Sequence, residues 1–358
     1  MSHSGNENFQ ENNVKLSICI ATRNRSAMLS ETLQIILPQL VDKVEVVVVD
    51  GASSDDTSKV MEAYASRDPR VQYYREAING GIDQDYDKAV EYASGAYCWL
   101  MPDDDWILPD AIDRVLSALE SKPSAVIVDA QVRDENQSEV LLTGRCSLKN
   151  DQFFRVDEHD SLFLAVADQL SYIGSVVIDR ALWLSRDRQS YFGSFFIHMG
   201  VLFQAPLPAG AQVLAAPCIA IRYGNASWTA RSFEIWTVLW PKLLMSLSSL
   251  SYDVRLKIAG QYTSLRSYVA LRAKGAYSLD EYQRWVLPSC ISRFKKILFF
   301  VVAVIPGVLL NFLHIVYVSV FKSRKEAKLA MIDLSGSRYY VFKLNSLKKL
   351  LFVLRLNR

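Results

Sequence analysis

The chain has 358 residues, half of them apolar, enough for a substantial core and more than one domain. Its net charge of +2 is unevenly spread: from Phe294 onward 12 Lys or Arg face 2 acidic residues (+10), while the rest holds 28 basic and 36 acidic residues (−8). An acidic body with a basic, apolar tail argues against a protein that wraps nucleic acid and fits a catalytic body held on an anionic membrane surface.

Residues 1–14 are polar, lack the apolar core of a secretory signal and read as a disordered lead-in. Residues 16–21 form an apolar run, the first expected strand, which ends in the polar 22–25 segment. Ser26 then opens a helix with Leu29, Leu33, Ile36 and Leu37 at helical spacing. Residues 44–49 are a continuous, mostly β-branched run, the pattern of a strand buried on both faces. Asp50 and Gly51 follow, and then Ser53 to Thr57, which supply helix-capping side chains. A third strand is expected at 71–74, a helix through 86–93, a fourth strand at 97–101, a helix from Pro109 and a strand at 125–128. Strands alternating with helices predict an α/β fold with a mostly parallel sheet covered on both faces. Ligands bind such sheets beyond the carboxyl ends of the strands, so Asp50 and Asp103 belong to one cleft.

Beyond residue 130 the pattern loosens. Strands are expected at 170–178 and 213–221, with helices near 182–188 and 196–204. The expected organisation is a first half over 15–130, a second over 131–232, a helical extension over 233–292 and membrane-associated helices over 293–358. The five cysteines are odd in number and show no Cys-x-x-Cys spacing, which predicts reduced thiols and no zinc.

The chemistry concentrates at Asp103-Asp104-Asp105, three carboxylates directly after an apolar strand. They repel one another unless a cation is present, and Mg²⁺ or Mn²⁺ takes hard oxygen ligands of this kind together with substrate phosphates. An acidic loop capping the next helix is the alternative. Asp50 can accept hydrogen bonds from a nucleobase or ribose, and Gly51 permits close backbone approach; a well-capped strand-to-helix turn would look the same.

The run 17–25 (Ser-Ile-Cys-Ile-Ala-Thr-Arg-Asn-Arg) resembles the opening strand and loop of family 2 glycosyltransferases. Residues 50–57 resemble that family's second motif. Gly95 to Leu100, followed by Asp103 to Asp105, resemble its metal-binding Asp-x-Asp strand. The three stand in the family's order and spacing over 15–109, and the 97–105 segment looks closest to bacterial O-antigen and capsule enzymes, abequosyltransferase-like members included. The resemblance implies a GT-A fold, a nucleotide-diphosphate sugar donor, a divalent metal (Mg²⁺ or Mn²⁺) and inversion at the anomeric carbon. It places Thr22, Arg23 and Asn24 along the nucleotide pocket and Asp50 at the base. Asp103 and Asp105 flank metal and diphosphate, with Asp104 near the donor sugar. Where the family often has an Arg-Asn pair facing the donor, Tyr86 and Asp87 stand here, leaving Asp83 and Lys88 to compensate.

The family's Glu-Asp pair, which supplies the general base, is absent. His198 occupies the corresponding region and ranks first as base; Asp168 follows, with Asp157, Glu158 and Asp160 as further candidates. Trp228, Trp236 and Trp240, with Tyr223 and Arg222, could stack on sugars, but core packing is the simpler reading. A nucleotidyltransferase would want glycines in the 22–25 loop, which has none; a catalytically silent membrane adaptor is the other rival.

In the tail, 297–321 is nearly all apolar and interrupted by Pro306-Gly307. Basic residues flank both ends: Arg293, Lys295 and Lys296 before, Lys322, Arg324, Lys325 and Lys328 after. A single crossing would export a basic tail against the positive-inside tendency, which favours a re-entrant or interfacial helix pair over a span. Residues 339–358 add a second basic, apolar segment of the kind that lies among headgroups. These features predict a peripheral or monotopic enzyme on the cytoplasmic face of the bacterial inner membrane, with a polyprenyl-diphosphate-linked glycan as acceptor.

Overall fold

Leu16–Thr22, a stretch with no charged residue, forms β1, and all seven side chains are buried. The computed structural model describes residues 14–225 and 229–340. β2 (Val44–Asp50) is also buried throughout, and β3 (Val71–Arg75) and β4 (Tyr97–Pro102) complete a four-stranded parallel half. β1 lies between β2 and β4, with Thr22 opposite Asp50 and Ala21 opposite Pro102. Strands covered on both faces need apolar side chains on both. Helices α1 (Ser26–Ile36), α2 (Thr57–Ala65) and α3 (Ile82–Tyr92) follow β1, β2 and β3 in turn.

The sheet as a whole is mixed, which corrects the expectation of a mostly parallel one. Its strand order is β3-β2-β1-β4-β9-β6-β10-β5, with β5 at Trp106–Ile107, β6 at Ala125–Arg133, β9 at Val176–Asp179 and β10 at Ala211–Arg222. The short β7 (Val140–Leu142) pairs with β6, and β8 (Gln152–Phe154) with β10. β9 slots between β4 and β6 and runs antiparallel to both. The strand expected over 170–178 survives only in its last residues. Gln169–Ser171 and Ile173–Ser175 are single 3₁₀ turns. Gly174 is the reason: a Cβ there would stand 2.4 Å from the Tyr172 hydroxyl oxygen, so the backbone folds back against that ring. α4 (Ala111–Ala118), α5 (His159–Val166), α6 (Arg180–Ser185) and α7 (Ile197–Phe203) complete the helices of this part.

The described residues of 1–130 and 146–219 make one compact unit and those of 131–145 and 220–358 another. The second is mainly helical. Phe233, Tyr268, Tyr277, Tyr282 and Phe299 form its aromatic core, with Tyr268 and Phe299 stacked at 3.8 Å between ring centroids. Trp236 and Trp240 pack edge to face at 5.9 Å, and Trp240 is buried, so core packing accounts for that pair. Trp228 and most of the 339–358 segment lie outside the described residues.

Helices Arg293–Val304 and Gly307–Phe321 meet at 93° across Ile305 and Pro306. Buried Arg272 donates to the Ile305 carbonyl at the bend, and buried Asn311 donates to the Ala273 and Leu334 carbonyls, 3.0 Å each. One face of the pair is thereby fixed inside the unit (Phe299, Val302, Ala303, Ile315, Val318). The other leaves Phe294, Ile297, Val304, Leu309, Leu313 and Phe321 exposed. Among the described residues no single helix is long and apolar enough to cross a membrane.

Candidate active site

Because β1, β2 and β4 run parallel and in register, Thr22, Asp50 and the turn after Pro102 arrive at one edge of the sheet. Thr22 Oγ1 donates to Asp103 Oδ2 at 2.6 Å, and Thr32 Oγ1 donates to the Asp103 carbonyl at 3.1 Å. The Arg25 guanidinium pairs with Asp103 Oδ1 at 3.2 Å and also with Asp104. The Tyr172 hydroxyl donates to Asp105 Oδ2 at 2.6 Å. Beneath them Tyr86 donates to the Met101 carbonyl at 3.1 Å.

Asp103 and Asp105 are both buried. Burial pushes the Asp103 carboxyl up to about 7, against the pull of Arg25 and with the repulsion of Asp104. Burial and the neighbouring acids likewise hold the Tyr172 and Tyr86 phenols well above their ordinary value. Arg25 pairs with two of three successive carboxylates, whose mutual repulsion concentrates negative charge in a poorly solvated corner. Such charge calls for a cation. Among the described residues no three His, Cys, Asp or Glu side chains form a ready-made metal cage. Two carboxylates are, however, the number with which Mg²⁺ or Mn²⁺ is commonly held when substrate phosphates complete the shell. The hard oxygens of Asp103 and Asp105 fit that role.

At the β2 end, Asp50 is fully buried. Its Oδ1 accepts from the Ser53 N–H at 2.8 Å and its Oδ2 from the Tyr73 hydroxyl at 2.8 Å. Asn24 (φ +55°) and Ala52 (φ +59°) both hold left-handed backbone, which non-glycine residues adopt only under local constraint. The constraint is mutual: Ser54 N–H donates to Asn24 Oδ1 at 2.7 Å, and Asn24 N–H to Ser53 Oγ at 2.9 Å. Arg23, next to this clasp, is exposed. Gly51 is required by close approach: a Cβ would stand 2.4 Å from Asp85 Oδ2. Gly51→Ala is expected to cost about 1–3 kcal/mol by overpacking, lowering the melting temperature by about 2–10 °C in calorimetry.

The Asp83 oxygens accept from the Phe195 and Ile197 N–H groups at 2.9 and 3.1 Å, anchoring the loop that opens α7, where Phe195 has φ +68°. Burial pushes Asp83 up to about 6 despite these bonds. Asp87 accepts from Trp183 Nε1 at 2.8 Å and from Arg188 at 2.9 Å, and Lys88 pairs with Glu76. His198 is buried, with Nε2 2.8 Å from the Leu170 carbonyl; burial lowers its pKa to about 4, so the ring is neutral near pH 7. Asp168 is exposed at the start of the Gln169–Ser171 turn. Sequence reasoning missed Tyr172 and Thr32. For Tyr172 the available signal was Gly174, which marks a turn within an apolar run.

Residues 17–162 match the family described as Glycosyl transferase family 2. Over 226 residues the chain is 24% identical to abequosyltransferase RfbV of Salmonella typhimurium, covering 60% of this chain and 68% of that one. Over 144 residues it is 26% identical to the GalNAc(5)-diNAcBac-PP-undecaprenol beta-1,3-glucosyltransferase of Campylobacter jejuni, covering 40% and 47%. The chain thus spans about two thirds of the first relative and about half of the second. Its fold is similar to that of S. aureus TarS 1-349 in complex with UDP-GlcNAc, with a TM-score of 0.54 at 17% identity over 90% of this chain and 91% of that one. Residues 17–162, which hold the acid cluster, thus form a glycosyltransferase family 2 domain within a GT-A-like fold, and the enzyme is a glycosyltransferase.

Proposed function

We propose that the enzyme moves a sugar from a nucleoside-diphosphate donor to a polyprenyl-diphosphate-linked glycan, with inversion, during assembly of a bacterial surface polysaccharide such as O-antigen or capsule. The observation that carries this reading is the convergence of Thr22, Arg25, Tyr172 and the buried Asp103 and Asp105 on one sheet edge. In it Asp103 and Asp105 hold Mg²⁺ or Mn²⁺, which supplies charge neutralisation to the diphosphate leaving group. Thr22 and Arg25 fix the Asp103 carboxylate, Tyr172 fixes that of Asp105, and Arg25 holds Asp104 toward the donor sugar. Arg23 offers an exposed cation to the phosphates. The clasp of Asn24, Ser53 and Ser54, braced by Asp50, shapes the nucleoside end next to Gly51.

The proton of the acceptor hydroxyl needs a base on the far side of the sugar. This reading assigns it to His198, whose Nε2 engages Leu170 and leaves Nδ1 without a partner, with Asp168 as the alternative. Support for a lipid-linked acceptor comes from the name of the Campylobacter relative and from the exposed apolar face of 293–321 with its basic flanks. That face suits the surface of an anionic bilayer, on the cytoplasmic side where the basic residues are retained.

The test is thermal-shift measurement of the full chain against UDP-, CDP-, GDP- and dTDP-sugars, with and without Mn²⁺. One nucleotide class should raise the melting temperature by several degrees at a hundredfold excess over Kd, and only with metal, since binding then adds about 2.7 kcal/mol. A flat response across the panel in Mn²⁺ would remove the donor assignment.

A further inference from the structure

Helix α3 buries three aspartates, Asp83, Asp85 and Asp87. Buried carboxylates ordinarily have hydrogen-bond partners. Asp83 has the N–H groups of Phe195 and Ile197; Asp87 has Trp183 and Arg188. Asp85 differs: it is 3% exposed, and its Oδ1 is buried with no hydrogen-bond partner among the described residues. Its carboxylate rests against Gly51 and stands in the field of Lys88, Glu76, Asp50 and Arg23, so it belongs to the corner at the end of β2.

Asp50, the acid that family resemblance places at the base, is 0% exposed and has already given one oxygen to Ser53 and the other to Tyr73. Of the two acids at this corner, Asp85 is the one with a buried oxygen that accepts no hydrogen bond at all among the described residues. The residue best placed to obstruct it, number 51, has no side chain.

We propose that Asp85 is a specificity-determining residue of the donor site, accepting through Oδ1 a hydrogen bond from an N–H or O–H of the nucleoside part of a nucleoside diphosphate. This rests on the donor reading above and deepens it. A ligand that brings a donor to this oxygen supplies the bond the free protein lacks, whereas one presenting only acceptors leaves a buried carboxylate unmatched. The donor group has two sources, a nucleobase amine or imide and a ribose hydroxyl.

The experiment is calorimetric titration of the full chain and of Asp85→Asn in Mn²⁺ with UDP, CDP, GDP, ADP and inorganic pyrophosphate. For the diphosphate that wild type binds best, the variant is expected to bind about tenfold or more weakly, as for loss of a charge-assisted bond. Its affinity for pyrophosphate, which has no nucleoside, should stay within twofold. The 2′-deoxy form of the same nucleotide separates the sources: if the deoxy and variant losses do not add, the partner is the 2′-hydroxyl; additive losses assign another group of the nucleoside, the base foremost. Nucleotide affinity reduced less than fivefold, or nucleotide and pyrophosphate weakened alike, would overturn the proposal. Asp85→Ser takes the place of Asp85→Asn if the latter does not fold. Wild-type protein that binds no nucleoside diphosphate would instead defeat the donor reading and this inference with it.

Discussion

Asp103→Ala and Asp105→Ala are each expected to lower sugar transfer by about a thousandfold or more while leaving the fold in place. The size follows from what the acids are asked to do: removing one preorganised group that stabilises transition-state charge commonly costs a hundred- to a thousandfold, and loss of a metal ligand removes a whole charge. Stability should move little, because opposing terms meet at this corner. Asp103→Ala breaks the Thr22 bond and the Arg25 pair but also relieves burial of a carboxylate beside Asp104. Arg25 keeps Asp104 as a partner, so no buried cation is stranded. Asp105→Ala breaks the bond from the Tyr172 hydroxyl, a neutral group. The check is transfer of radiolabelled sugar across a Mn²⁺ titration, with calorimetric melting of both variants. Wild-type rates in either variant, in the presence of a chelator, would remove the acid cluster from the chemistry.

Legibility in the sequence followed burial pattern. β1, β2 and β4 could be read because uninterrupted apolar runs ending in polar residues have few alternatives. Their parallel register then brings Thr22, Asp50 and Asp103 together without further information. β9 is four residues long and antiparallel to both neighbours, so no strand–helix alternation announces it. The 3₁₀ turns before it carry Tyr172 to Asp105, a contact that depends on a tertiary fold-back.

α3 is less legible for a different reason: Asp83, Asp85 and Asp87 are all inside, and the partners of Asp83 and Asp87, such as Phe195, Trp183 and Arg188, lie far along the chain. The same distance in sequence hid the partners of Tyr86 and Asp87, which stand where the family often carries Arg and Asn. Their side chains are directed to Met101 and to Trp183 with Arg188, so the donor-facing cation expected from the family is missing from those two positions. In the donor site proposed here, exposed Arg23 offers a cation in its place.

The second large effect is expected at the membrane. Ile297 and Leu313, one on each arm of the 93° bend, are 61% and 50% exposed, while Phe299, Val302, Ile315 and Val318 on the opposite side hold the arms to the rest of the helical unit. Changing the outward pair should therefore spare the core. Each apolar side chain taken from water contributes about 1.5–3 kcal/mol, and each basic residue near an anionic surface about 1 kcal/mol. Ile297→Glu combined with Leu313→Glu removes two such contributions and adds two charges of the repelled sign. Partition onto vesicles containing 30 mol % phosphatidylglycerol should fall by about a hundredfold or more in flotation, with an unchanged melting temperature. Raising the salt should weaken wild-type binding without abolishing it, because the apolar term is insensitive to screening. A single crossing predicts otherwise: a spanning segment would resist extraction by carbonate, whereas an interfacial bent pair is released. If the double variant floats as wild type does, the bent pair is not what meets the bilayer. If wild type stays with the soluble fraction but forms a dimer that the variant dissolves, the same face is an interface between two copies of the chain.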